Sequence, residues 1–306
     1  EYLSALESSD LVYLQQHTDK LKDMTAEQLE EIRLRMAQSG PLSEAMTLCL
    51  ERCYVSKEAV DKLAPSLAAL VQRGTGLATR AMSARVIVNL ATSCPKLLQP
   101  FADGMLRPLS NGLTDRSVTV RKEFGKAIGQ VARLCKRKAV TKLLERLLSD
   151  YTDSDISDER TRHAAGVATL ALVTTAASKV KKCMSKLLPV AFIASFSNEK
   201  AVKEIWESVW SEITVTTQQG VKLHLKEVVE TVLQVLDAGS HDLRRQGADA
   251  LTVVLNSVVR AGGGGCLFVC LFVCLFVCFS LANGLSVSDF FLSFFLFFFS
   301  FPFLLL

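Results

Sequence analysis

An all-α stack of about five helix pairs is the fold class this sequence predicts. Three observations predict it: a basic residue that recurs at a constant interval, apolar positions that keep its register, and polar or glycine-bearing turns that split each interval into two helical runs. The basic residues are Arg80, Arg121, Arg162, Lys203 and Arg244, each 41 residues after the last. Seven positions after each come Ile87, Ile128, Thr169, Trp210 and Leu251, and three further on come Leu90, Val131, Leu172, Ile213 and Val254. Spacings of seven and ten return to one face of a 3.6-residue helix, so these are expected core positions of a second helix in each unit. Four residues after the basic anchor stand Ala84, Gly125, Gly166, Glu207 and Ala248; four of the five are small, as close approach of a neighbouring helix requires.

Upstream of each anchor lies an apolar run that reads as the first helix of the unit: residues 63–71, 106–113, 143–148, 187–196 and 228–236. Pro65, Pro108 and Pro189 are expected near the starts of these helices, where a missing amide hydrogen costs little. Turns between paired helices are expected at 73–76, 114–117, 150–159, 197–200 and 238–242. A period of roughly 40–47 residues with two helices per unit is the range of HEAT and armadillo repeats, and strands have no place in it.

Three regions follow. Residues 1–53 form a degraded or partial helical repeat, with a capping box expected from Thr25 and Gln28. Residues 54–260 form the HEAT/armadillo-like solenoid. From Gly262 the composition changes to four glycines, three tandem copies of Cys-Leu-Phe-Val and a Phe-rich run, with Asp289 the one charge. This 261–306 segment is expected to be an unstructured or spurious apolar tail. Four residues correspond to twelve bases, so simple-sequence DNA read as protein accounts for the tandem. The rival reading is a membrane anchor, against which stands the lack of Trp, Tyr, Lys or Arg after Arg260. The start at Glu1 and the change at Gly262 lead us to expect a fragment of a longer chain.

Composition narrows function mainly by exclusion. Lys plus Arg total 35 and Asp plus Glu 31, a net charge of +4 that marks neither an obligate nucleic-acid binder nor a membrane-surface protein. Cys49, Cys53, Cys94, Cys135 and Cys183 in the body lack zinc-site spacing and read as reduced thiols of an intracellular protein. His17, His163, His224 and His241 fall in no nucleophile or metal motif. Gly74 and Gly76 form a bare Gly-x-Gly without a phosphate-binding context. Asp153, Asp155, Asp158 and Glu159 lack the glycine and terminal Glu of a calcium loop and read as a solvated acidic turn. No catalytic residue, cofactor or metal site is therefore expected.

The surface offers better candidates. The five basic anchors are expected to bridge to acidic turns such as Asp115, in their own or the adjoining unit. Lys136, Arg137 and Lys138, with Lys179, Lys181, Lys182 and Lys186 one unit later, are expected on one inter-repeat edge. That edge is either a row of solvated loop tips or a site for an acidic partner or RNA, and no aromatic platform accompanies it. Trp206 and Trp210 share one helical face, as core residues or, if exposed, as an anchor pair for a partner.

The wording of the repeats carries a family resemblance. Cys53-Tyr-Val-Ser-Lys-Glu-Ala-Val60, Ser83-Ala-Arg-Val-Ile-Val-Asn-Leu90, Ser93-Cys-Pro95 and Leu109-Ser-Asn-Gly-Leu-Thr-Asp-Arg116 resemble the C-terminal HEAT region of the proteasome adaptor and scaffold family. Leu187-Leu-Pro-Val-Ala-Phe192, the 206–210 segment and Arg245-Gln-Gly-Ala-Asp-Ala-Leu251 are similar as well, so the resemblance runs collinearly over about residues 45–260. It implies a non-catalytic solenoid in the cytoplasm and nucleus that binds 26S proteasome subunits and other proteins. It further implies links to endoplasmic reticulum, endosomes and centrosomes. Nucleic acid and membrane are disfavoured as partners, the latter except through the tail. The alternative is a HEAT-type binder of acidic partners or nucleic acid through the basic edge.

Overall fold

A computed structural model describes residues 25, 28, 55–73, 76–153 and 158–259. Within them the regular structure is helical and no strand occurs. The chain divides into two compact units, Glu1–Val140 and Thr141–Leu306.

In the first unit, α1 (Lys57–Arg73) opens at Ser56, whose hydroxyl accepts the Ala59 amide at 3.2 Å. Its buried residues Val60, Ala64, Leu67 and Val71 form one stripe. The turn into α2 (Leu77–Ser93) runs through Gly76, whose φ of 90° suits a residue without Cβ. α3 (Pro95–Asn111) continues into a 3-10 turn (Gly112–Thr114), and α4 (Val118–Leu134) opens at Ser117, which caps the Val120 amide. α1 packs on α2 and α3, α3 on α4, and α2 on α4. Second helices thus stack on second helices and first on first, the arrangement that the 41-residue register requires.

In the second unit the same plan continues through α5 (Arg137–Thr152), whose first four residues precede the boundary, and α6 (Glu159–Thr175). There follow α7 (Ala177–Val180), a 3-10 turn (Lys181–Cys183) and α8 (Met184–Ala194), then α9 (Lys200–Ile213). The last repeat comprises α10 (Thr217–Leu223), α11 (Leu225–Leu236) and α12 (His241–Val259). α6 packs on α9, α8 on both α9 and α11, and α11 on α12.

The register positions are buried as expected from the sequence. Ile87, Ile128 and Thr169 are fully enclosed, Trp210 and Leu251 nearly so, and Leu90, Val131, Leu172 and Val254 line the same core. Ile213 differs, being half-buried at the C-terminus of α9. The small residue at the fourth position has a visible cause in the third repeat: a Cβ on Gly166 would lie 2.6 Å from Ile205 and 2.9 Å from the Trp206 ring. Glu207, at the same position one repeat later, points to solvent.

Two expectations need correction. Pro65, Pro108 and Pro189 sit inside α1, α3 and α8 rather than at their starts, because the apolar runs mark only the buried stretch of each first helix. The helices begin earlier with exposed residues, and the proline at a helix start is Pro95. The first helices of the last two repeats are also not single segments. One is broken at Lys181–Cys183 and the other at His224, whose backbone (φ −127°, ψ 33°) leaves the helical region.

Thr25 and Gln28 make the expected reciprocal cap: the Thr25 amide donates to the Gln28 side-chain oxygen at 2.9 Å, and the Gln28 amide to the Thr25 hydroxyl at 3.3 Å. The rest of 1–53 lies outside the described residues, as do Cys49, Cys53, His17, Gly74, Asp155 and the whole 261–306 tail. Among the described residues no helix is long and apolar enough to cross a membrane.

Candidate partner-binding surfaces

The basic anchors face inward and close turns. Arg121 donates from Nη1 to the Asp115 carbonyl at 2.7 Å and the Arg116 carbonyl at 3.1 Å, and Arg244 donates to the Ala238 carbonyl at 3.3 Å. Each reaches back to a carbonyl six residues earlier, in the turn after a first helix, where carbonyls lack helical partners. Arg80 pairs with the Asp115 carboxylate of the next repeat. Asp115 is buried, and its other oxygen accepts the Ser117 amide at 2.9 Å, so one turn residue ties two repeats. Arg162, also buried, faces Glu199. Burial still holds the Glu199 carboxyl above the usual range, reinforced by Glu159, Asp242 and Asp158 and opposed by Arg162. Lys203 departs from the pattern: it is exposed and lies 3.8 Å from Glu207 on its own helix.

A buried polar chain crosses the second unit. The Tyr151 hydroxyl donates to the Gln246 side-chain oxygen at 2.9 Å, and burial pushes its pKa far above that of a free phenol, so it remains a donor. Trp206 stands edge-on to Tyr151 at 5.0 Å between ring centres, and its Nε1 donates to the Arg162 carbonyl at 3.1 Å. Trp210 donates to the Thr217 hydroxyl at 3.2 Å. Both tryptophans are buried, so they pack the core and offer no exposed anchor. Asp158 likewise has a structural role, accepting the Thr161 amide at 2.8 Å as the cap of α6; hydrogen bonding from the Thr161 side chain, and then from its amide, holds the carboxyl below the usual range.

Lys136, Arg137 and Lys138 are exposed at the turn into α5, where the Lys136 amide donates to Asp103 at 2.9 Å. In the second unit Lys181 and Lys182 are exposed on the 3-10 turn and Lys179 is half-buried. Lys186 is not on that turn. It lies on α8 and donates to Glu145 of α5 at 2.6 Å, a hydrogen bond that raises its pKa.

That pair borders a groove of about 630 Å³ across the first helices α5, α8 and α11. Glu145, Lys186 and Glu227 occupy one register position in three successive repeats, each 41 residues from the next, and Glu230 lies one turn beyond Glu227. Leu148, Val190 and Val235 give the groove an apolar floor. The spacing was legible in the sequence, where adding the repeat length to Glu145 reaches Lys186. Grouping Lys186 with the neighbouring lysines concealed it. Among the described residues no cluster of His, Cys, Asp or Glu has metal-site geometry.

A family model for the Proteasome adapter and scaffold protein ECM29, HEAT-repeat domain, matches residues 1–152. The human Proteasome adapter and scaffold protein ECM29 is 29% identical over 260 residues, which cover 83% of this chain and 14% of that protein. The chain is similar to this family over most of its length. The Schizosaccharomyces pombe relative, Proteasome component ecm29, is 22% identical over 262 residues, 84% of this chain and 15% of its own length. The chain thus spans about one seventh of each relative. The ECM29 match takes in residues 1–53, where the repeat register alone shows only a partial unit. Of solved structures, that of Kap121p bound to RanGTP aligns with a TM-score of 0.43 and 12% identity, over 84% of this chain and 31% of Kap121p.

Proposed function

We propose that this chain is part of a non-catalytic adaptor that binds the 26S proteasome and links it to partner proteins and cellular compartments. The observation that carries the reading is the family match, whose relatives bear the names of proteasome adapters and components. The repeat architecture supports it, because stacked helix pairs present a long surface whose functional residues are contacts and not a reaction centre. The cytoplasm and nucleus, where thiols stay reduced, are the compartments proposed for this action.

Capture from cytosol on the immobilised chain tests the reading. Proteasome subunits should be enriched over capture on an unrelated helical repeat protein of similar charge. Equal recovery on both would remove the proteasome from the assignment.

A further inference from the structure

The groove across α5, α8 and α11 combines three features that point to one kind of occupant. Three carboxylates, Glu145, Glu227 and Glu230, share it with one ammonium, Lys186, although the chain as a whole is positively charged. Lys186 is already engaged by Glu145, which leaves the negative charge concentrated at the α11 side. There the side chains of Glu227 and Glu230 are 40% and 56% exposed, and the basic side chains beside them, His224 at the entry to α11 and Lys226 on that helix, approach only to 4.0 Å. Between the charges lies the apolar floor of Leu148, Val190 and Val235.

We propose that this groove docks a basic, extended segment of a protein partner, with Lys or Arg side chains meeting Glu227 and Glu230 and an aliphatic side chain resting on the floor. Packed helices lie roughly 8–10 Å apart, so three first helices span roughly 20 Å. An extended chain covers that distance with about six residues, at about 3.3 Å each. Side chains of such a segment alternate between floor and rim, matching the apolar centre and acidic border. A nucleic acid is disfavoured because its phosphates would face the same carboxylates.

The proposal rests on the scaffold reading but not on the identity of the proteasome as partner. The test uses the full chain and a fluorescent peptide of alternating lysine and leucine, about eight residues long to exceed the groove, followed by anisotropy. Binding should saturate, and a glutamate–leucine peptide of equal length should bind at least tenfold more weakly. The double variant Glu227→Lys/Glu230→Lys should lose about tenfold or more in affinity, two exposed ion pairs being turned into repulsions. Glu204→Lys/Glu212→Lys, which alters exposed positions outside the groove by the same charge, should stay within about twofold on the same electrostatic scale. Lys186→Ala should tighten binding by freeing Glu145. Should charge reversal disturb folding as read by circular dichroism, Glu227→Gln/Glu230→Gln gives the same direction with a smaller loss.

Comparable binding of the acidic peptide, or equal losses in the groove and control variants, would overturn the proposal. Peptide binding without proteasome capture keeps the groove and removes the proteasome. Proteasome capture with a peptide-inert groove does the reverse.

Discussion

Replacing Ile128 by aspartate is expected to unfold the first compact unit. Ile128 is fully enclosed on α4, which packs against both α2 and α3. A carboxylate placed there either stays ionised without a partner or takes up a proton, and the residue also loses its apolar contacts. An unpaired buried charge costs several kcal/mol, against a total stability of about 5–15 kcal/mol for a domain. Ile128→Val, which removes one methylene, should cost only about 0.5–1.5 kcal/mol and leave the fold intact. Hydrogen exchange across 118–134 separates the cases: protection should vanish in the aspartate variant and persist in the valine variant. Unchanged protection in Ile128→Asp would place Ile128 outside the core and shift the register of the repeat.

The second large effect belongs to Trp206→Ala in the other unit. The ring is fully buried, stands edge-on to Tyr151 and lies against Gly166, where it occupies the space that a Cβ would need. Truncation removes that packing and the hydrogen bond from Nε1 to the Arg162 carbonyl, and it opens a cavity beside the Tyr151–Gln246 pair. Loss of a buried aromatic side chain costs about 3–5 kcal/mol. Trp206→Phe keeps a ring and should lose less. Trp210 is then the chain's remaining tryptophan, and its fluorescence in a urea titration reports on the same unit. A loss below about 1 kcal/mol, the scale of an ordinary surface change, would show that the site collapses around the cavity or that Trp206 is not the keystone of this core.

The fold was legible in the sequence because a repeat puts the same demand on many residues at once. Ile87, Ile128 and Leu251 are each ambiguous alone, yet their common spacing from Arg80, Arg121 and Arg244 defines a face, and that face is buried. Helix ends were less legible where solvent-facing residues extend a helix beyond its apolar stretch, as at Lys57 in α1. Breaks were illegible where the backbone changes without a glycine or proline, as at His224.

The surface was harder to read for a different reason. Charge clusters along the chain are conspicuous, and Lys179, Lys181, Lys182 and Lys186 looked like one patch. A helix turns 3.6 residues per turn, so neighbours in sequence diverge in direction while residues a whole repeat apart converge. Lys186 consequently meets Glu145, 41 residues away, and leaves the turn where its neighbours sit. The anchor arginines show the same effect inside the core: Arg80 finds Asp115 in the next repeat, whereas Arg121 and Arg244 satisfy carbonyls of their own turns.

Direct titration of this chain with purified 26S proteasome tests the central claim most sharply. The family reading expects saturable binding by the folded chain, and loss of that binding in Ile128→Asp if the first unit supplies the contact or in Trp206→Ala if the second does. Absence of saturable binding by a chain whose circular dichroism shows its full helical content would contradict the claim that this stretch of the scaffold carries proteasome contacts.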